Sequence, residues 1–217
     1  MPIPSSHRHV TKEDVEKSVF NWQEWKAVFE HTGLPRTNPI LTTKAIYDRF
    51  LYTYNVGRTV GERDALMQEL RSDGFPLNEI LADGTGEVLD LHIGKLGAAY
   101  GAFNTRYHRR CNITSAISKI MAFLKPASFI AFDSYARKGI NVHTKRPKSH
   151  VFDCYADYRA AMESAMGVQV GNEVRAACGI YASALNASMG TALHLRVLDS
   201  YFMRIGGRWD PKLAKAA

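Results

Sequence analysis

Within residues 117–140 the chain reads ISKIMAFLKPASFIAFDSYARKGI, a mostly apolar run in which Lys119 and, fourteen residues on, Asp133 carry an amine and a carboxylate. An amine freed of its proton attacks an electrophilic carbon and holds it as an imine, whereas a carboxylate stabilises positive charge that develops in a transition state. A lysine amine has a reference pKa of about 10.4, so nucleophilic use demands desolvation or cationic neighbours. Ile117, Ile120 and Phe132 are apolar neighbours in sequence, and the basic group Arg106, His108, Arg109 and Arg110 lies just upstream. The plain alternative makes Lys119 a helix-surface charge and Asp133 a helix cap.

The elements that must position the pair can be read from spacing. Ile117, Ile120, Met121 and Leu124 recur at helical intervals, and Pro126 stops that helix near Lys125. Lys119 then sits in the first half of a short helix. The chain turns through Pro126, Ala127 and Ser128, crosses Phe129 to Phe132 as a short strand or a buried connector, and starts a new helix with Asp133 as its N-cap. A ten-residue helix is about 15 Å long, and an extended return of five or six residues covers a similar distance at ~3.3 Å each. This return can carry Asp133 back towards the start of the helix bearing Lys119.

The rest of the chain reads as helix. Thr11 with Asp14 three residues on marks a capped start for a helix carrying Val15, Val19 and Trp22. Further helical stripes are Ile46, Phe50 and Tyr54; Ala65, Leu66 and Leu70; and Leu89, Ile93, Leu96, Tyr100 and Phe103, the last after the loop signal Asp83-Gly84-Thr85-Gly86. Gly94, Gly97, Ala98, Ala99 and Gly101 are small enough to admit another backbone. Phe152, Tyr155, Tyr158 and Met162 predict one more helix, residues 170–188 an alanine-rich one, and Leu193 to Ile205 a last one stopped by Gly206-Gly207. The expected fold class is all-α, a compact helical bundle. The expected organisation is a mobile arm over 1–10 and a single helical domain over 11–210, or a two-lobed form with a cleft near 106–146. The basic loop at 141–150 is a candidate boundary.

With 28 Lys plus Arg against 21 Asp plus Glu, the net charge is +7, which suits a polyanionic partner. The excess brackets the apolar run: Arg106 to Arg110 precede it, and Arg137, Lys138, His143, Lys145, Arg146, Lys148 and His150 follow it. A solvated basic face is the bland reading; two clusters around one segment favour nucleic acid. Cys111, Cys154 and Cys178 are too far apart for a disulfide framework or a Cys-x-x-Cys metal site, so neither metal nor cofactor is expected. The start of the chain lacks a signal-peptide core and no apolar window is long enough to span a bilayer, so a cytoplasmic protein without membrane attachment is expected.

Ser118-Lys119, Phe123-Leu124-x-Pro126, Phe129, Asp133-Ser134 and Arg137 together resemble the 8-oxoguanine DNA glycosylase-like branch of the helix-hairpin-helix DNA glycosylase superfamily, in its bacterial form. The late segment from Arg196 to Met203 resembles the closing helix of such proteins. In place of the superfamily's glycine-rich hairpin, Leu-Pro-Gly-x-Gly, this chain has Cys111-Asn112-Ile113-Thr114-Ser115-Ala116. The resemblance implies a monomer acting on double-stranded DNA. It would flip out a damaged or modified base and cleave its N-glycosidic bond, with Asp133 and Lys119 as the catalytic pair.

A flipped base needs an aromatic or apolar pocket. Tyr135, Tyr107, Trp25 and His143 are the candidates, each with core packing as its ordinary alternative. Arg109, Arg110, Arg137, Lys138, Lys145 and Arg146 are candidate DNA contacts, chiefly to phosphate. Two other readings remain: a non-catalytic helical DNA-binding module, and a helical interaction protein whose charge serves solubility.

Overall fold

A computed structural model describes residues 9–20, 39–41, 43–83, 85–124, 128–147, 150–152, 154–167, 169–182 and 190–209. The protein is predominantly helical, and its one described sheet is a two-stranded ribbon, so the all-α class holds. The chain forms two compact units, residues 29–131 and residues 1–28 with 132–217. The division falls inside the apolar run, between Ala131 and Phe132, while the 141–150 loop belongs wholly to one unit.

In the 29–131 unit, helix α2 (Lys44–Thr53) starts where the Thr43 hydroxyl accepts from the Ile46 amide, and it buries Ile46, Tyr47, Phe50 and Leu51 on one face. Helix α3 (Arg63–Arg71) buries Leu66, Met67 and Leu70. A short helix, α4 (Leu77–Ala82), follows Pro76 and was not foreseen, since six residues display too little periodicity. The loop before α5 (Glu87–Tyr100) is a capping device: the Asp83 carboxylate accepts from the amides of Thr85, Gly86 and Val88 at 2.9, 2.8 and 3.1 Å. These bonds hold the Asp83 carboxyl below its usual value against the opposing effect of burial.

Helix α5 ends at Tyr100, and Phe103 lies outside its stripe. Phe103 instead opens a hairpin in which β1 (Phe103–Asn104) pairs antiparallel with β2 (Arg109–Arg110). Gly101 makes that exit workable, because a Cβ there would sit 2.3 Å from the Cys111 carbonyl oxygen and 2.6 Å from that of Gly97. Of the glycines along α5 and its cap, Gly101 thus admits a neighbouring backbone, a Cβ on Gly97 would meet Cys111 only at an ordinary 3.8 Å, and Gly94 faces open space. After the hairpin, the Asn112 side chain accepts from the Thr114 amide at 2.7 Å and starts α6 (Thr114–Leu124). Helix α6 is buried from Ala116 to Phe123, with the Phe123 ring edge-on to Phe50 and Tyr54. Phe129, Ile130 and Ala131 form a buried connector without strand pairing.

The other unit holds helix α1, described over 12–20, with α7 (Ser134–His143), α8 (Tyr155–Met166), α9 (Gln169–Ala182) and α10 (Gly190–Ile205). The Thr11/Asp14 capping box forms, with the Thr11 amide and hydroxyl both donating to Asp14 Oδ2. Asp14 is fully buried and also takes a two-pronged contact from Arg204 of α10, Nε to Oδ1 and Nη2 to Oδ2, both at 2.9 Å. Helices α7 and α10 meet backbone to backbone: a Cβ on Gly139 would lie 2.0 Å from the Phe202 carbonyl oxygen, and one on Gly206 would lie 1.9 Å from that of Tyr135. Gly207, with φ of 88°, turns the chain out of α10. Phe152, expected in the α8 stripe, precedes that helix.

Candidate functional site

Lys119 belongs to the 29–131 unit. It lies on the buried part of α6, only 6% exposed, and its Nζ reaches the Tyr54 carbonyl oxygen at 3.4 Å. Tyr54 is the C-cap of α2, where unpaired carbonyls concentrate partial negative charge and favour a cation. The amine is therefore withdrawn from water and directed at a helix C-terminus, which sequence spacing alone did not indicate.

Asp133 belongs to the other unit, as the N-cap of α7, and is also 6% exposed. Its Oδ1 accepts from the Tyr135 amide at 2.8 Å, and its Oδ2 lies 3.4 Å from Arg208 Nη1. Arg208 follows directly from the Gly206-Gly207 exit of α10, so the close α7–α10 seam delivers a guanidinium to the start of α7. Its only sequence signal was a basic residue after the double glycine, and it was missed.

Beneath Asp133, the Phe132 ring packs edge-on against Tyr158 at 4.8 Å. Tyr158 is wholly buried; that burial, and then the charges of Asp199 and Asp133, push its hydroxyl well above the usual tyrosine range. Tyr158 lies on the apolar stripe that predicts α8.

Two of the candidate pocket residues, Tyr135 and His143, lie at opposite ends of α7. Tyr135 stands next to the Asp133 cap, half-buried, with the Lys138 ammonium 5.4 Å from its ring centroid. His143 is the last residue of α7, so roughly ten residues of helix rise, about 15 Å, part it from Asp133. It packs edge-on to Phe202 at 5.5 Å and lines a cavity of about 620 Å³ with Arg146, His150, Phe152 and Asp157. The structure thus gathers His143 and Arg146 at one end of α7 and Asp133, Tyr135 and Arg208 at the other. Tyr107 stands on the turn of the β1–β2 hairpin and is 57% exposed. Trp25 lies outside the described residues.

Among the candidate DNA contacts, Arg109, Lys138, Lys145 and Arg146 are exposed and Arg137 is half-buried. Arg110 is tied down, its Nη1 donating to the Gly101 carbonyl at 2.8 Å. Among the described residues no group of three or more His, Cys, Asp or Glu is arranged to hold a metal ion, and no helix is long and apolar enough to cross a membrane.

Comparison with known proteins adds nothing to this picture: no family model matches the chain, and neither the curated proteins nor the solved structures yield a match.

Proposed function

We propose that this protein is a DNA glycosylase that excises a damaged or modified base, with Asp133 stabilising the oxocarbenium-like sugar and Lys119 attacking C1′. The observation that carries this reading is the withdrawal from water of both chemistry-bearing side chains of the 117–140 stretch. A buried carboxylate acts on developing positive charge through a low local dielectric, where its effect far exceeds that of a solvated one. The substrate would be double-stranded DNA, bound through the exposed Arg109, Lys138, Lys145 and Arg146 without sequence preference.

In the reaction, the Lys119 amine attacks C1′ as the base departs with the bonding electrons, and the sugar ring then opens, the C1′–O4′ bond breaking and O4′ taking up a proton as the attacking nitrogen gives one up, to leave an imine. That imine is either hydrolysed, which frees the lysine, or loses the 3′-phosphate by β-elimination, which nicks the strand. If water attacks instead, the Asp133 role is unchanged and no covalent intermediate forms.

A second reading, non-catalytic DNA binding, is favoured by one specific observation. Both Asp133 carboxylate oxygens are engaged, one as the α7 cap and one by Arg208, which is all that a structural aspartate requires. The experiment that tests the proposal offers the protein duplexes carrying oxidised, alkylated and bulky modified bases, follows base release, and traps the imine with borohydride. Release of one base class, with trapping lost in Lys119→Gln, supports the enzyme with a lysine nucleophile. Salt-dependent binding with no release from any duplex overturns the enzyme reading.

A further inference from the structure

The β1–β2 hairpin carries an exposed aromatic ring with two guanidinium groups near it. Arg106 and Arg109 lie 5.4 and 5.8 Å from the Tyr107 ring centroid, and Tyr107 and Phe103 keep 57% and 61% of their surface in water. Neither Arg106 nor Arg109 is paired with a carboxylate among the described residues. Exposed rings beside unneutralised arginines on a projecting turn contribute little to folding, but they match the two surfaces of a nucleic acid: flat base faces and anionic phosphates.

The ribbon is also braced from below. Arg110 donates to the Gly101 carbonyl, the Cys111 amide to the Ala102 carbonyl at 2.7 Å, and the Ala102 amide to the Thr59 carbonyl at 2.8 Å. At the turn, the Tyr107 amide is held by Asn104, and His108 adopts a left-handed φ of 48°. The tip is thus presented on a fixed base, which limits the entropy lost when it engages a partner.

We infer that this hairpin is a DNA-insertion element: Tyr107 stacks on a nucleobase of duplex DNA while Arg106 and Arg109 hold phosphates on either side. A two-stranded ribbon fits the major groove, and the narrower minor groove admits only its tip. This use of the hairpin replaces the pocket role expected for Tyr107. The inference shares with the proposed function only the choice of DNA as partner and needs no chemistry at Asp133 or Lys119.

The test measures binding of the full chain to a short duplex by fluorescence anisotropy across a series of salt concentrations. A parallel duplex carries 2-aminopurine to report base unstacking. Tyr107→Ala should weaken binding by about tenfold, abolish the 2-aminopurine change and leave the salt slope as in the wild type. The Arg106→Ala/Arg109→Ala double variant should flatten the slope of log affinity against log salt by about 1.8. All three side chains are exposed, so each variant should keep the wild-type denaturation midpoint. The inference is overturned if Tyr107→Ala matches the wild type in affinity and 2-aminopurine signal, if the double variant keeps the wild-type slope, or if polyglutamate competes as well as duplex DNA. A Tyr107-dependent 2-aminopurine change without base release sinks the glycosylase reading and leaves this one standing; base release indifferent to Tyr107 does the reverse.

Discussion

Asp133 serves as helix cap and, in the proposed reaction, as a charge, and Asp133→Asn separates the two roles. Asparagine caps helices about as well as aspartate, so its side-chain oxygen can still accept from the Tyr135 amide and α7 should start unchanged. What folding loses is the 3.4 Å pair with Arg208; the Asp133 side chain is 8% exposed but that of Arg208 is 38% exposed, and solvent screening at the guanidinium holds the pair's contribution to about 1 kcal/mol. The denaturation midpoint should therefore fall by no more than about 2–4 °C.

If the proposed reaction holds, the expected loss of rate is larger. A unit charge about 4 Å from the developing positive charge contributes about 4 kcal/mol at an effective dielectric constant of 20, which is roughly a thousandfold in rate. Single-turnover base release on the most reactive duplex, alongside thermal unfolding, measures both quantities. Asp133→Ala, which also removes the cap, should lose a further ~1 kcal/mol of stability without a matching further loss of rate. Release by Asp133→Asn within tenfold of wild type would refute the electrostatic role, because a structural cap is all that asparagine preserves.

Three further expectations concern the scaffold. Gly139→Ala places a methyl group on the Phe202 carbonyl and should cost about 1–3 kcal/mol in urea unfolding, whereas Gly94→Ala, facing open space in mid-helix, should gain about 0.5–1 kcal/mol. Arg204→Met leaves the Asp14 carboxylate buried without its cation and should cost about 3–5 kcal/mol by the same measurement. Burial raises the Tyr47 hydroxyl, and burial with nearby carboxylates raises that of Tyr158, so both stay protonated in the folded chain when the unfolded chain begins to ionise near pH 10. Stability is then intact below pH 10 and falls above it by up to about 1.4 kcal/mol per pH unit for each tyrosine; Tyr47→Phe should reduce that slope by up to about 1.4 kcal/mol per pH unit. The Tyr47 hydroxyl makes no hydrogen bond among the described residues, so the same substitution should leave neutral-pH stability equal or higher.

The most legible features in the sequence were those carried by local rules. The Thr11/Asp14 box, Asp133 as an N-cap, the end of α6 before Pro126 and the Gly206-Gly207 stop each depend on neighbours within about four residues, and each forms as read. The stripe through Leu89, Ile93 and Leu96 likewise predicted α5. It overran at Phe103, because a helical period cannot register that Gly101 must bring its backbone against Cys111 and turn the chain into a hairpin. For the same reason the basic cluster at 106–110 could be read as a set of candidate DNA contacts but not as a braced turn with an aromatic tip.

Sequence by itself determined the helical class, the basic charge balance and which two side chains, an amine and a carboxylate, are candidates for the proposed chemistry, since composition, period and residue type are properties of the chain before it folds. Tertiary structure alone decided that the Lys119 amine points at the end of α2, that Arg208 reaches Asp133 across the glycine seam of α7 and α10, and that His143 lies a helix length from Asp133. Each of these is a contact or distance between residues far apart in sequence, set by which surfaces must be buried together, and no local spacing rule encodes it.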